Sequence, residues 1–220
     1  MEQHFGMEGL SVMRFTLTYD GELGAKARHK QAWEIRRQLA PQLRELWEID
    51  PSLQRLLLRR YLTSGGYFPI EQHHSVEQFK SSEKTANSID LCEPIFRGGY
   101  NFVPLVRNSL LLKCGLTVIF LRKEPPGKVY QGGDLDNRLK TLFDALSVPT
   151  NPEQVVSGDT DAPDPICTLV EDDSLITGID IETRQLLSRP GGNEHDVRLV
   201  IDVDVRVIQP RVYNQAFLGG

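Results

Sequence analysis

The sequence predicts a mixed α/β (α+β) domain, a small mixed sheet packed by helices. Three patterns predict it. Residues 10–19 and 196–208 alternate apolar and polar side chains with a period of two, as half-buried strands do. Residues 24–47 and 134–146 carry apolar positions at helical spacing, and Leu110 to Leu121 is a nearly continuous apolar run that fits a buried strand. With 220 residues, 40% of them hydrophobic, the chain can bury a full core and is most simply one domain, 1–220.

In chain order, residues 1–9 read as a loose arm. Leu10 to Tyr19 is a strand in which Met13, Phe15 and Leu17 alternate with Val12, Arg14, Thr16 and Thr18, and Asp20-Gly21 is expected to turn it. From about Gly24 a helix carries Ala32, Ile35, Leu39, Leu43, Leu46 and Trp47; Pro41 is expected to kink or split it. Asp50-Pro51-Ser52 starts a second helix with Leu53, Leu56, Leu57, Arg60 and Tyr61 on one face, ended by Ser64-Gly65-Gly66. Residues 67–89 show little periodicity. Ile95 to Arg97 and Phe102 to Val106 flank Gly98-Gly99 as short strands or a loop. After the helix at 134–146, residues 147–165 are rich in Pro, Gly and Asp and read as a flexible loop or a lid. Leu175 to Leu187 and Asp196 to Ile208 read as two strands of a hairpin across Pro190 to Asn193.

Composition narrows the function classes. No run of eighteen apolar residues appears and the first residues lack a basic stretch followed by an apolar one, so a membrane span and a secretory signal are not expected and the cytoplasm is the expected location. Cys92, Cys114 and Cys167 are odd in number and widely spaced, which favours reduced thiols over disulfides or a zinc site. His73-His74 and His195 read as turn residues. The net charge of −5 argues mildly against phosphate binding. Within it, however, Lys26 to Arg60 holds a basic excess, which is either a phosphate-tracking face or the solvated side of packed helices.

The chemistry concentrates at Gly132-Gly133-Asp134-Leu135-Asp136-Asn137-Arg138-Leu139-Lys140-Thr141-Leu142-Phe143-Asp144-Ala145-Leu146. Two glycines free the backbone before Asp134, and Asp134 and Asp136, two apart on a segment expected to be still extended, would project to one side. Asp136, Lys140 and Asp144 follow at intervals of four and share a helix stripe. Paired carboxylates on a short frame suit Mg2+, which takes oxygen ligands and keeps several waters. A second acidic cluster, Glu171-Asp172-Asp173, precedes a strand and is expected to fold back over the first. The plainer reading makes Asp134 an N-cap, Asp136 and Asp144 surface partners of Lys140, and residues 171–173 a solvated loop.

The run from Asp134 to Leu146, followed by Asp172-Asp173 ahead of a strand, resembles the RusA family of Holliday junction resolvases, whose motif Asp-x-Asp-Asn-x-x-Lys-x-x-x-Asp-Ala-Leu is matched at every fixed position. The likeness covers residues 110–207 well and the first strand and helix loosely. It departs at two longer segments, about 62–106 and 147–168, which would be insertions in a RusA-like domain, and in its acidic charge. The resemblance implies Asp134, Asp136 and Asp173 as metal-binding acids, Lys140 as the catalytic lysine, and Asp144, Asp172 and Asn137 in support. It also implies a homodimeric endodeoxyribonuclease dependent on Mg2+, or Mn2+ in its place, that cuts branched or duplex DNA. Two other functions compete: a catalytically weak nucleic-acid-binding or regulatory protein on the same frame, and a metal-dependent phosphohydrolase of nucleotides.

Overall fold

The computed structural model describes residues 9–23, 28–57, 61–62, 89–123, 134–187 and 196–218. It is a mixed α+β architecture. The larger sheet has four strands: β1 (Leu10–Glu22), β6 (Leu112–Arg122), β8 (Ile176–Gln185) and β9 (Asp196–Val207), in the order β1-β9-β6-β8. β9 runs antiparallel to both β1 and β6, whereas β6 and β8 are parallel. The smaller sheet is β4 (Ile95–Arg97), β5 (Tyr100–Val106) and β7 (Ile166–Val170), with β5 parallel to β7. A two-residue pairing joins β2 (Tyr61–Leu62) to β3 (Ile89–Asp90).

Binary patterning explains the larger sheet. In β9, Val197, Leu199, Ile201, Val203, Val205 and Val207 are buried while Arg198 and Asp202 are exposed, so one face meets the core and the other meets water. The apolar run of β6 takes the place between two partners, burying Leu112, Cys114, Leu116, Val118 and Phe120. That position corrects the expected hairpin of residues 175–208: β8 and β9 do not pair with each other, because β6 lies between them. The turn expected at Asp20-Gly21 is also corrected. β1 continues to Glu22 because Asp20 and Gly21 stay in register with Arg198 and Val197, and Arg198 closes an ion pair to Asp20 at 2.6 Å.

Among the described residues three α-helices pack on this frame: α1 (Arg28–Ile49), α2 (Pro51–Leu57) and α3 (Asp134–Leu146). Pro41 lies inside α1 and does not split it. The buried stripe Ala32, Ile35, Leu39, Ala40, Leu43 and Trp47 runs past the proline, so tertiary burial outweighs the lost N–H. Asp50 caps α2 as expected, its Oδ1 accepting from the N–H groups of Ser52 (2.8 Å) and Leu53 (3.0 Å). Of the apolar face expected there, Leu53 and Leu56 are buried and Leu57 is exposed; α2 ends at Leu57, and Tyr61 belongs to β2. Arg60, Ser64-Gly65-Gly66, residues 67–88, His73-His74 and His195 lie outside the described residues.

Gly98 and Gly99 turn β4 into β5 with φ of +55° and +93°, a conformation that glycine adopts without strain. A Cβ at Gly98 would lie 2.9 Å from the Val155 side chain, so the hairpin tip presses on the segment that follows α3. That segment is not the free loop or lid expected of residues 147–165. Val148, Val155 and Ile166 form a second apolar cluster with Trp33, Ala40 and Phe102. The Tyr100 hydroxyl receives the Asp159 N–H (2.9 Å) and lies 3.0 Å from the Val156 carbonyl, and Trp33 donates its ring N–H to Asp159 (2.8 Å). The three cysteines are buried and free, and burial pushes the Cys114 thiol up to about 12. Among the described residues no helix is long and apolar enough to cross a membrane.

Candidate functional site

α3 begins at Asp134, so Asp134 and Asp136 lie on the first helical turn rather than on an extended segment. The side chain of Asp134 lies outside the described residues, as do Gly132 and Gly133. Asp136 is 65% exposed and pairs with Lys140, 52% exposed, at 2.6 Å across one turn. Asn137 is exposed, and its carbonyl accepts from the Thr141 hydroxyl at 2.9 Å. Arg138 is buried and donates to the Leu23 carbonyl, which ties this end of α3 to the end of β1. Leu142, Ala145 and Leu146 are buried and seat the helix on the core.

The other end of α3 is enclosed. The N–H of Val148 donates to the Val170 carbonyl (3.1 Å) and Ser147 bridges to Val170, so the exit of the helix lies alongside the end of β7. Directly after β7 come the three acids of the second cluster, and they part company. Glu171 turns toward the β5–β6 connection, where its carboxylate accepts the Asn108 N–H at 3.2 Å. Asp172 caps a 3-10 turn at Asp173–Leu175, accepting from the Ser174 N–H at 3.0 Å; hydrogen bonds from the Ser174 side chain and backbone hold its carboxyl below the usual range. Asp173 is exposed, and no cation among the described residues pairs with it.

A groove of about 90 Å3 opens between these two segments. It is lined by Asp144, Ser147, Val148, Thr150, Gln154, Asp172 and Asp173. The structure therefore brings together three of the seven residues singled out from sequence, Asp144, Asp172 and Asp173. Asp136 and Lys140 do not line the groove. The rise from Asp136 to Asp144 along α3 is roughly 12 Å, so one ion does not reach both. Among the described residues no group of three His, Cys, Asp or Glu side chains is close enough to hold a metal ion.

Charge around the groove comes from α1. Arg28 pairs with Asp144 at 2.6 Å through its Nε. Arg36, 2% exposed, donates Nη2 to the carbonyls of Asp144 and Ser147, the latter at 3.1 Å. Burial pushes its guanidinium down to about 10, while the Asp144 carboxylate opposes that shift. Arg37 pairs with Asp159 at 3.4 Å, and Arg44 donates to the Asp164 carbonyl at 2.8 Å. These four arginines serve internal contacts, which favours packed helices over a phosphate-tracking face for this part of the basic excess.

Thr150 and Gln154 were not marked by sequence, and Arg28 and Arg36 only as members of the basic excess from Lys26 to Arg60. For Arg36 a signal exists: position 36 falls on the buried stripe with Ala32, Ile35 and Leu39, where an arginine must find internal partners. No protein-family model, curated protein or solved structure matches the chain.

Proposed function

We propose that the chain is a Mg2+-dependent, structure-selective endodeoxyribonuclease of the RusA kind, cutting branched or duplex DNA as a homodimer. The observation that carries this reading is the shared groove. Asp144, from the motif that resembles the family, faces the same space as Asp172 and Asp173 from the second acidic cluster. The donor set suits the ion in kind: the carboxylates are hard oxygen ligands, and Mg2+ is commonly held by one or two of them with waters completing its shell. A closed cage of three protein acids is therefore not required.

A bound divalent cation supplies Lewis acidity toward a phosphate oxygen and lowers the pKa of a water. The residues of the chain do the rest. Asp173, with which no cation among the described residues pairs, and Asp172 would offer carboxylate oxygens to the cation, while Asp144, held by Arg28, faces them across the groove. Asp136 stands apart from the groove, on the first turn of α3. There Lys140 carries a positive charge that can turn from Asp136 toward a phosphate, because both side chains are exposed.

The test is cleavage of a panel of branched and linear duplex DNAs in Mg2+ and Mn2+ by the wild type and by Asp173→Asn and Asp136→Asn. Cutting by the wild type, abolished in Asp173→Asn with an unchanged circular dichroism spectrum, supports the assignment; undiminished cutting by that variant removes it. A second reading, a nucleic-acid-binding protein without turnover, is favoured by the ion pairs that hold Asp136 and Asp144. It predicts DNA affinity with no cleavage in either metal.

A further inference from the structure

The two edges of the larger sheet are treated differently. On β1, two glutamines one turn apart on α1 stand in for a neighbouring strand. Gln42 accepts the Thr18 N–H through Oε1 (2.9 Å) and donates Nε2 to the Thr18 carbonyl (2.7 Å), and Gln38 does the same for Asp20 at 3.4 and 3.1 Å. Side-chain amides thus close the outer ladder of β1 at these two residues, where bare backbone would recruit another strand. β8 is the opposite edge, ten residues long, and among the described residues nothing pairs with its outer side. In a parallel pair, alternate residues turn both backbone groups to the partner strand. Leu186 donates its N–H to the Arg122 carbonyl, so the even-numbered residues here serve β6, and the backbone groups of Ile179, Ile181, Thr183 and Gln185 point away from it.

A strand adding antiparallel to this edge must set outward residues opposite outward residues, which leaves few two-fold registers for a second copy of the chain. Charge chooses among them. Asp180, Glu182 and Arg184 are exposed and share one face of the sheet. An axis at Ile181 sets Asp180 against Glu182 of the second copy, an axis at Glu182 sets that carboxylate against itself, and an axis at Arg184 sets guanidinium against guanidinium. Only an axis at Thr183 opposes unlike charges without opposing like ones: Glu182 faces Arg184, on both sides of the axis. Within one chain Arg184 already grips Glu182 at 2.6 Å, so the pairing closes a square of alternating charge. The same register lays Thr183 on Thr183 and sets Ile179, 38% exposed, against Leu187, 89% exposed. Cross-strand pairs of these kinds stabilise a sheet. We propose that two copies of the chain join edge to edge through β8, antiparallel about a two-fold axis at Thr183, so that their larger sheets run on as one. The homodimer is part of the reading above, which leaves its surface open; the placement draws on the free edge and its charges, and is tested without metal or DNA.

Sedimentation equilibrium of the full chain reads the dimer dissociation constant for the wild type, Glu182→Arg, Arg184→Glu and the double variant Glu182→Arg/Arg184→Glu. Each single swap turns both attractive oppositions into repulsive ones and should weaken the dimer by about tenfold or more. The double variant should restore it, because exchanging both charges preserves every opposition. Thr183→Cys gives an independent readout. Across the axis the two Cα atoms are about 5.5 Å apart, within disulfide range, so mild oxidation should link the copies, whereas Thr177→Cys, far from the axis, should stay unlinked. The native cysteines are buried and do not compete. Restoration in the double variant, with linkage through Thr183→Cys alone, supports the placement. A wild type that is monomeric at every concentration removes the dimer and the placement together and leaves cleavage to its own test. A dimer indifferent to the swaps, or unlinked through Thr183→Cys, removes the placement alone.

Discussion

Asp173→Asn separates a residue kept for a ligand from one kept for the fold. The side chain is exposed on the 3-10 turn after β7, and no cation among the described residues pairs with it, so the amide is expected to change metal-free stability by no more than about 0.5 kcal/mol. Metal reverses the comparison. An ion that binds only the folded state at about 100 times its Kd stabilises it by roughly 2.7 kcal/mol. For a chain of this size each kcal/mol is worth about 2–4 °C, so the wild type should melt roughly 5–11 °C higher in saturating Mn2+ than in chelator. Asp173→Asn should lose most of that increment while keeping the wild-type midpoint in chelator. Differential scanning fluorimetry with a Mn2+ titration reads both quantities from one plate. A variant that melts lower in chelator but keeps the full metal increment would refute the reasoning, since Asp173 would then serve the turn and not the ion.

Two further outcomes follow from the fold. Pro41→Ala gives α1 back an N–H for the Arg37 carbonyl at an exposed position, and should raise stability by about 1–3 kcal/mol in a urea titration; an unchanged midpoint would mean that the helix is already adjusted to the proline. The Trp33 hydrogen bond holds the Asp159 carboxyl below its usual range, with burial opposing it and the Asp161 N–H and Arg37 adding to it. A folded pKa below the unfolded one means that the contribution is fully present above the ordinary carboxylate value of about 4 and is lost as pH falls through the lower folded value. Trp33 emission should therefore shift on the acid side of about pH 4 in the wild type. The same titration of Asp159→Asn should lack that step, and its persistence there would assign it to another acid.

Much of the fold was legible in the sequence because burial imposes a period on the residues. The alternation of Val197 to Val207, the apolar run through Phe120 and the stripe of α1 each state which face is inside. What sequence missed are places where a local preference met a stronger distant partner. Asp20-Gly21 is a turn signal, yet Val197 and Arg198 hold it in a strand; Pro41 is a helix breaker, yet Leu39 and Leu43 on either side of it are buried. The pairing of β8 with β6 rather than β9 was hidden for another reason: adjacency in sequence suggests a hairpin, and only the need of β6 for two neighbours decides otherwise. Within the candidate site, the acids were legible one by one. Their grouping was not, because the meeting of Asp144 with Asp172 and Asp173 depends on β7, whose five buried residues stood at the end of a stretch rich in loop-forming residues.

The crossover between β6 and its parallel neighbour β8 contains α3, β7 and every residue of the groove, from Asp144 to Asp173. Every lining residue of the groove is thus encoded on one contiguous segment between two neighbouring strands. Arg28 and Arg36 lie outside that segment, on the helix that follows the first strand. A substitution in that helix therefore reaches the Asp144 carboxylate and the carbonyls of Asp144 and Ser147 from outside the segment that lines the groove.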